Sequence, residues 1–195
     1  MSDKFELSTE SKKDGGVEFF RVKALIDIDS VKAGELGGWV EKKENLSQEG
    51  TCWIANDALV FGQSIVKDNA HVAGQSKVYG KAIIEGQAKI QDRAKIYGGA
   101  KISDDVVVSG DSWIYGTAHV YEKAQITNNT EICGTAKVHG EVKLSGDLIF
   151  GDKDTVTKEV TEVKSIAIPA REHGYSGFDT QVIHSEDELN SFLRV

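Results

Sequence analysis

The stretch that decides the fold is residues 58–147, which read ALVFGQ-SIVKDN-AHVAGQ-SKVYGK-AIIEGQ-AKIQDR-AKIYGG-AKISDD-VVVSGD-SWIYGT-AHVYEK-AQITNN-TEICGT-AKVHGE-VKLSGD. In these fifteen consecutive hexads the first residue is Ala, Ser, Thr or Val, and the third is Val, Ile or, once, Leu144. The fifth residue is Gly or a small acid or amide, with Glu122 as the exception. Internal repetition at a short fixed period predicts a solenoid.

Each hexad has room for one short strand and one corner. The small-x-aliphatic pattern alternates inward, outward and inward, as a strand with one buried side requires. The fifth residue follows the strand, where the chain must turn, and Gly, Asn and Asp tolerate the positive φ of a tight corner. Three such sides would close a coil of eighteen residues.

The period of eighteen is visible in the sequence itself. Hexads at this spacing form three families, and one family always has Gly at the corner. The fourth positions of that family are Phe61, Tyr79, Tyr97, Tyr115 and Cys133. The other two families mix Gly with Asp, Glu or Asn at the corner, so the families differ and the coil is predicted to be triangular. With one more unit at each end, the all-β solenoid is predicted to span residues 52–150.

The repeat resembles that of the hexapeptide-repeat left-handed β-helix. That family has an aliphatic residue with a small residue four places later, as in Val60/Ser64 and Val66/Ala70. One difference is that the turn glycine falls two places after the aliphatic residue, whereas many enzymes of the family have it one place after. The resemblance implies left-handed winding and assembly as a homotrimer.

Residues 1–51 are interpreted as an N-terminal strand and a cap for the exposed end of the solenoid. Residues 1–16 are polar and expected to be mobile at the start, whereas residues 17–28 are rich in β-branched and aromatic residues and predict a strand or a hairpin arm. The LGGWV string at residues 36–40, followed by Cys52-Trp53, resembles the leader of hexapeptide-repeat proteins common in phages and prophages, some described as transferases without known activity. Trp39 and Trp53 are predicted to cover the first coil.

Residues 151–195 are interpreted as a C-terminal strand, a loop and a short α-helix that pack on the solenoid or on a neighbouring subunit. Residues 156–168 are rich in Thr and Val and end before Pro169. The Ser185–Glu188 capping box then precedes Leu189, Phe192 and Leu193, which predicts a short amphipathic helix.

Charge and composition exclude several classes of protein. The net charge is −8, but residues 52–150 carry ten basic and eleven acidic side chains, so the acidic excess lies outside the repeat. Such a surface argues against general nucleic-acid binding. The absence of a signal peptide, a transmembrane run and a lipidation motif predicts a cytoplasmic protein that does not contact a membrane. No metal-ligand spacing is present, and Cys52 and Cys133 are too far apart for an intrachain disulfide.

Catalysis is one possible function. Many left-handed β-helix proteins are acyltransferases, and the resemblance implies a histidine base in a cleft between subunits, with acyl-CoA lying along the helix. In this sequence the candidates are His119 and His139, placed on one side of the solenoid one coil apart, with Tyr121 beside His119. No hexad is interrupted by the ejected loop that closes the site in such enzymes, so catalytic residues are not assigned and the enzyme remains the alternative.

The aromatic file is the second candidate site. Tyr79, Tyr97 and Tyr115 are predicted to form one outward file, and the same side carries a second outward file. The residues of that second file are Lys77, Lys95 and Trp113. A stripe of this kind favours an interface, or a platform on which aromatic rings contact a base while lysines contact phosphate.

The function favoured by the sequence is non-enzymatic. The predicted protein is an oligomer of phage or prophage type, without a cofactor. It binds and sequesters a host ligand such as a nucleotide immune signal, or a host protein. The alternatives are an acyltransferase that uses acyl-CoA and a structural or adaptor protein of a phage. The nucleotide reading is an analogy, because a fold alone does not carry a function.

Overall fold

The chain forms a three-sided parallel β-solenoid with almost no helix in the computed structural model, which describes residues 3–158 and 160–161. Strands of successive coils pair in parallel with partners eighteen residues away, for example Ile96 with Ile114. The sequence-based prediction of an all-β solenoid with triangular eighteen-residue coils is therefore confirmed. The left-handed sense of winding is what the family resemblance implies.

Three faces make up the solenoid, and each is a parallel sheet. The strands of the first, here called the aromatic face, are Leu36–Val40, Leu59–Val60, Lys77–Val78, Lys95–Ile96, Trp113–Ile114, Glu131–Ile132 and Ile149–Phe150. Those of the second, the histidine face, are Ile65–Val66, Ile83–Ile84, Lys101–Ile102, His119–Val120, Lys137–Val138 and Thr155–Val156. Those of the third face are Trp53–Ile54, His71–Val72, Lys89–Ile90, Val107–Val108, Gln125–Thr127, Lys143–Ser145 and Val160–Thr161.

The core is a column of inward side chains from the first and third positions of the hexads. The inward aliphatic residues from Val60 to Val138 and the inward alanines between them are fully buried. Where the small residue is Ser or Thr, its hydroxyl is satisfied locally, as when Ser64 Oγ donates to the carbonyl of Phe61 at 2.7 Å. The column stabilises the fold mainly through apolar burial, and neighbouring coils supply the backbone hydrogen bonds.

The corners adopt the left-handed backbone conformation that the sequence predicts. Gly116 has φ +74°, and Asp104 and Glu122 have φ +59° and +63°. An acidic corner side chain can also join two coils, because Asp104 Oδ2 accepts a hydrogen bond from the backbone N–H of Glu122 at 2.9 Å. At Asp104 the side chain thus gains a hydrogen bond that offsets part of the backbone strain.

The N-terminal region is a hairpin. Strand β1 (Phe5–Asp14) pairs antiparallel with β2 (Val17–Ala24), and β2 pairs with the strand Leu36–Val40 of the first coil. The expectation of mobile residues at the start is wrong for Phe5–Asp14. The alternation of polar and apolar residues is weak in this strand, and the strand forms because it pairs with β2. A short 3₁₀ helix, Lys43–Asn45, follows in the first coil.

The two tryptophans of the leader are buried, but at the sides of the coil. Trp39 pairs with Leu59 and Trp53 pairs with His71, so both rings occupy outward positions. They are only 8% and 3% exposed because the N-terminal segment covers them. The ammonium of Lys12 lies 4.3 Å from the Trp39 ring centroid. The leader therefore caps the start of the solenoid laterally.

The end of the core is closed by Phe5 and Lys4, which are both buried. The Lys4 ammonium donates to the carbonyls of Glu49, Gly50 and Cys52 at 3.0–3.3 Å and lies 3.1 Å from Cys52 Sγ. These carbonyls have no coil above them to supply an N–H, so the ammonium satisfies them instead. Both cysteines are free, as expected.

Parallel pairing extends on both sides of residues 52–150, from Trp39 to Thr161. The predicted C-terminal loop and the α-helix around Leu189 lie outside the described residues. Among the residues that the structure does describe, no helix is long and apolar enough to cross a bilayer.

Candidate functional site

The histidine face carries both candidate bases, His119 and His139. Its outward residues form two files that run parallel to the solenoid axis, one from the second and one from the fourth hexad position. The first file is Ile65, Ile83, Lys101, His119, Lys137 and Thr155, and the second is Lys67, Glu85, Ser103, Tyr121, His139 and Thr157. Neighbours within a file are one coil apart, about 4.8 Å.

His119 is the first of the two predicted candidate bases, and it contacts a serine and a tyrosine. Its Nε2 atom lies 3.4 Å from Ser103 Oγ, and its ring centroid is 4.4 Å from that of Tyr121. Ser103 is only 7% exposed, so its hydroxyl lies beneath the imidazole. When Nε2 carries the proton and donates it to Ser103, Nδ1 holds the free lone pair.

The surroundings of His119 favour its neutral form. Burial, followed by the positive charge of Lys101, lowers the pKa of His119 below its ordinary value of 6.5, while Asp104 and Glu85 act in the opposite direction. A neutral imidazole at physiological pH can accept a proton, which is what a general base must do.

His139 lies one coil below Tyr121, where the sequence placed it. The two rings stack with centroids 4.7 Å apart and planes 9° from parallel. Its Nδ1 atom is 3.7 Å from Glu122 Oε1, on the corner with positive φ. The structure thus brings the two histidines together around one tyrosine, although their catalytic role stays a prediction.

Glu85 is a feature of this face that the sequence analysis missed. Its carboxylate, whose side chain is 17% exposed, contacts the ammonium groups of Lys67 at 2.8 Å and Lys101 at 2.6 Å. Burial raises the pKa of Glu85, but the hydrogen bonds from Lys101 and Lys67 outweigh it and the net pKa is lowered. Lys67 stands eighteen residues from Glu85 in the same file, whereas Lys101 stands sixteen residues away and meets Glu85 diagonally between files.

Ser103 was also missed, for a geometric reason. It lies sixteen residues before His119, so the two side chains meet diagonally between files. The eighteen-residue period relates residues only along a file. A diagonal contact depends on the side-chain rotamers, which the repeat does not specify.

The aromatic face forms the predicted ladder. The rings of Phe61, Tyr79, Tyr97 and Tyr115 stack with successive centroids 5.0, 4.9 and 4.8 Å apart and planes within 10° of parallel. Phe19 of the hairpin packs against the top of the ladder, with its ring 5.4 Å from Phe61. The ring faces are therefore occupied by one another, which stabilises the solenoid and leaves little room for a base between them.

The lysines proposed for this ligand site differ in their surroundings. Lys77 pairs with Asp14 of the hairpin at 3.4 Å, whereas the ammonium of Lys95 lies 4.2 Å from the Trp113 ring centroid. Trp113 is 41% exposed. Glu131 accepts a hydrogen bond from the Tyr115 hydroxyl, which raises the pKa of Tyr115. The exposed part of this face is thus its lower half, around Lys95 and Trp113.

On the described coils, no group of three or more His, Cys, Asp or Glu side chains could hold a metal ion.

Comparison with known proteins adds one relative. The chain is 35% identical over 75 residues to the uncharacterized acetyltransferase YdcK of Escherichia coli (strain K12). The matching segment covers 34% of this chain and 23% of that protein. The chain therefore spans less than a quarter of the relative's length. No family model matches. Together with the solenoid, this similarity fits a hexapeptide-repeat β-helix.

Proposed function

We propose that the protein transfers an acyl group from acyl-CoA to an acceptor, with His119 as the general base. The observation that carries the proposal is the half-buried imidazole of His119, which has a lowered pKa and a contact to Ser103. The partial similarity to a protein named as an acetyltransferase supports the same reaction class.

The imidazole would act on the nucleophile of the acceptor. In this scheme Nε2–H of His119 donates to Ser103, and Nδ1 removes the proton from an acceptor hydroxyl or amine as its oxygen or nitrogen attacks the thioester carbonyl. The new ester or amide bond forms as the C–S bond breaks, and the departing CoA thiolate takes the proton from the imidazolium, which returns His119 to its neutral form. Ser103 would then fix the tautomer and the ring orientation. His139, which stacks on the ring of Tyr121, would support the position of the tyrosine.

A neighbouring subunit would provide the second wall of the site. The described coils run from Trp39 to Thr161 without an ejected loop, and the histidine face is open to solvent at His119. Hexapeptide-repeat β-helix proteins commonly form trimers, so a homotrimer would place another copy beside this face.

The test is turnover of acetyl-CoA by the purified full chain with a panel of hydroxyl and amine acceptors. The His119→Gln variant should lose at least about a hundredfold in kcat/KM, because a positioned base contributes factors of this size. His71→Gln on the third face is the matched control, since His71 is also an outward, half-buried histidine. Equal turnover in the wild type and His119→Gln would exclude His119 as the base.

A second candidate function is binding on the lower aromatic face, favoured by the exposed ring of Trp113 beside Lys95. The ligand would be a nucleotide or a host protein, in a chain of phage or prophage type that sequesters it. Native mass spectrometry with acetyl-CoA and a panel of cyclic and linear nucleotides tests this candidate. A retained nucleotide that is lost in Trp113→Ala would support it, while an oligomer without any ligand would favour the structural or adaptor role.

A further inference from the structure

A shallow depression lies where the aromatic face turns into the histidine face, near the last coils. Four side chains line it: Thr135, Lys137, Lys153 and Thr155. They form a square across two coils, because Lys137 pairs with Thr155 and Thr135 stands one coil from Lys153. Two ammonium groups and the Thr155 hydroxyl therefore line a common space, while the Thr135 hydroxyl donates to the backbone carbonyl of Asp152.

Within the part of the chain that the structure describes, Lys137 and Lys153 form no ion pair. On the same face, by contrast, Lys67 and Lys101 both pair with the carboxylate of Glu85. The neighbouring acidic residues are Asp152 and Asp154. The carboxylate of Asp154 accepts the backbone N–H of Gly151 at 2.9 Å, so it is turned to its own loop.

The depression is next to the proposed base. Lys137 pairs directly with His119 in the parallel ladder, which places it one coil below, about 4.8 Å along the axis. The charge of Lys137 acts on His119, whose pKa it helps to lower. A group bound between the two lysines would thus be held within reach of a reactant at His119.

We infer that this depression, formed by Thr135, Lys137, Lys153 and Thr155, is an anion-binding site that holds a phosphate or carboxylate group of the acceptor. Lysine ammonium and threonine hydroxyl groups are donors that suit such oxygens. The binding of the anion stands independently, while the assignment to the acceptor rests on the proposed acyl transfer. The acceptor would then be an anionic hydroxyl or amine compound.

The test uses the full chain with inorganic phosphate as the probe, and it needs no turnover. Calorimetry gives the affinity for phosphate, and NMR of labelled histidine gives the pKa of His119 with and without phosphate. Saturable binding should raise the pKa of His119, because a nearby negative charge favours the imidazolium. The Lys137→Met/Lys153→Met variant should bind at least tenfold more weakly and lose the response of His119.

The matched control is Lys89→Met/Lys143→Met, which removes two exposed lysines from the third face. It should bind phosphate within twofold of the wild type. The site is refuted if phosphate does not saturate the wild type, or if both double variants bind it equally. Competition separates the two possible sources of the anion: displacement of phosphate by CoA but not by pantetheine would assign the site to the acyl donor and overturn its assignment to the acceptor.

Discussion

The Nε2 atom of His119 lies 3.4 Å from the Oγ of Ser103, a residue of the preceding coil whose side chain is almost completely buried. This contact joins two outward files of the histidine face and holds an imidazole at a fixed place on an otherwise regular surface. Diagonal contacts with the same sixteen-residue spacing join Lys101 to Glu85 and Tyr115 to Glu131. The contact with Ser103 distinguishes His119 from a histidine that is surrounded only by solvent.

The pH dependence of turnover should show the lowered pKa of His119. Since the imidazole must be neutral to accept a proton, the acid limb of kcat/KM is expected below pH 6.5, and Lys137→Met should move it upward by removing a positive charge. The same shift makes the folded state less stable as the pH falls below 6.5, where the unfolded state binds the proton more readily. An acid limb above pH 7, or one that does not move in the variant, would contradict this assignment.

Gly116→Ala should destabilise the solenoid strongly. The added Cβ would lie 2.6 Å from the carbonyl oxygen of Gly134 in the next coil, at a position with φ +74°. Gly15→Ala in the hairpin turn is the control, with φ +57° but no atom within 4 Å. We expect about 3 kcal/mol for Gly116→Ala and about 1 kcal/mol for Gly15→Ala, measured from urea denaturation. Equal losses would mean that the backbone conformation alone, without the coil contact, governs the corner.

Lys4→Met should loosen the N-terminal end of the solenoid. It removes the donor to three backbone carbonyls, of which that of Cys52 is buried and would be left without a partner, while those of Glu49 and Gly50 are only partly buried. The expected loss in the free energy of unfolding is about 3 kcal/mol. Lys13→Met, at an exposed position of the same strand β1, should change it by less than about 0.5 kcal/mol. A loss no larger than that of the control would show that water replaces the ammonium.

Tryptophan fluorescence can report on the lower aromatic face. Of the three tryptophans, Trp113 is 41% exposed whereas Trp39 and Trp53 are buried, so acrylamide should quench mainly Trp113. Trp113→Phe should remove most of the quenchable emission, and a ligand on this face should protect it in the wild type. If a nucleotide that is retained by the protein leaves the quenching unchanged, the aromatic face is not its binding site.

Much of the fold could be predicted from the hexads because each hexad specifies one strand and one corner through its own residues. The corner at Glu122 shows this clearly: its position in the hexad required a positive φ even though Glu rarely adopts one, and φ is +63°. The strand β1, by contrast, was not predicted. Its residues carry no strong pattern, and it forms because β2 offers a partner and the core accepts Phe5.

The candidate site was predictable only in part. The sequence placed His119, Tyr121 and His139 on one side, since outward residues at known hexad positions must share a face. It did not indicate that Ser103 contacts the imidazole or that Glu85 binds two lysines. Those contacts depend on how long side chains orient between coils.

The sequence by itself determined the period, the three faces and the identity of the inward and outward residues, because each hexad specifies one strand and one corner through its own small, aliphatic and turn residues. Only the tertiary structure decided which outward side chains are covered and which meet. The hairpin buries Trp39 and the top of the aromatic ladder but leaves Trp113 exposed. This difference in exposure depends on the long-range packing of a segment outside the repeat. The diagonal approach of Ser103 to His119 is likewise a contact between coils, which no single hexad encodes.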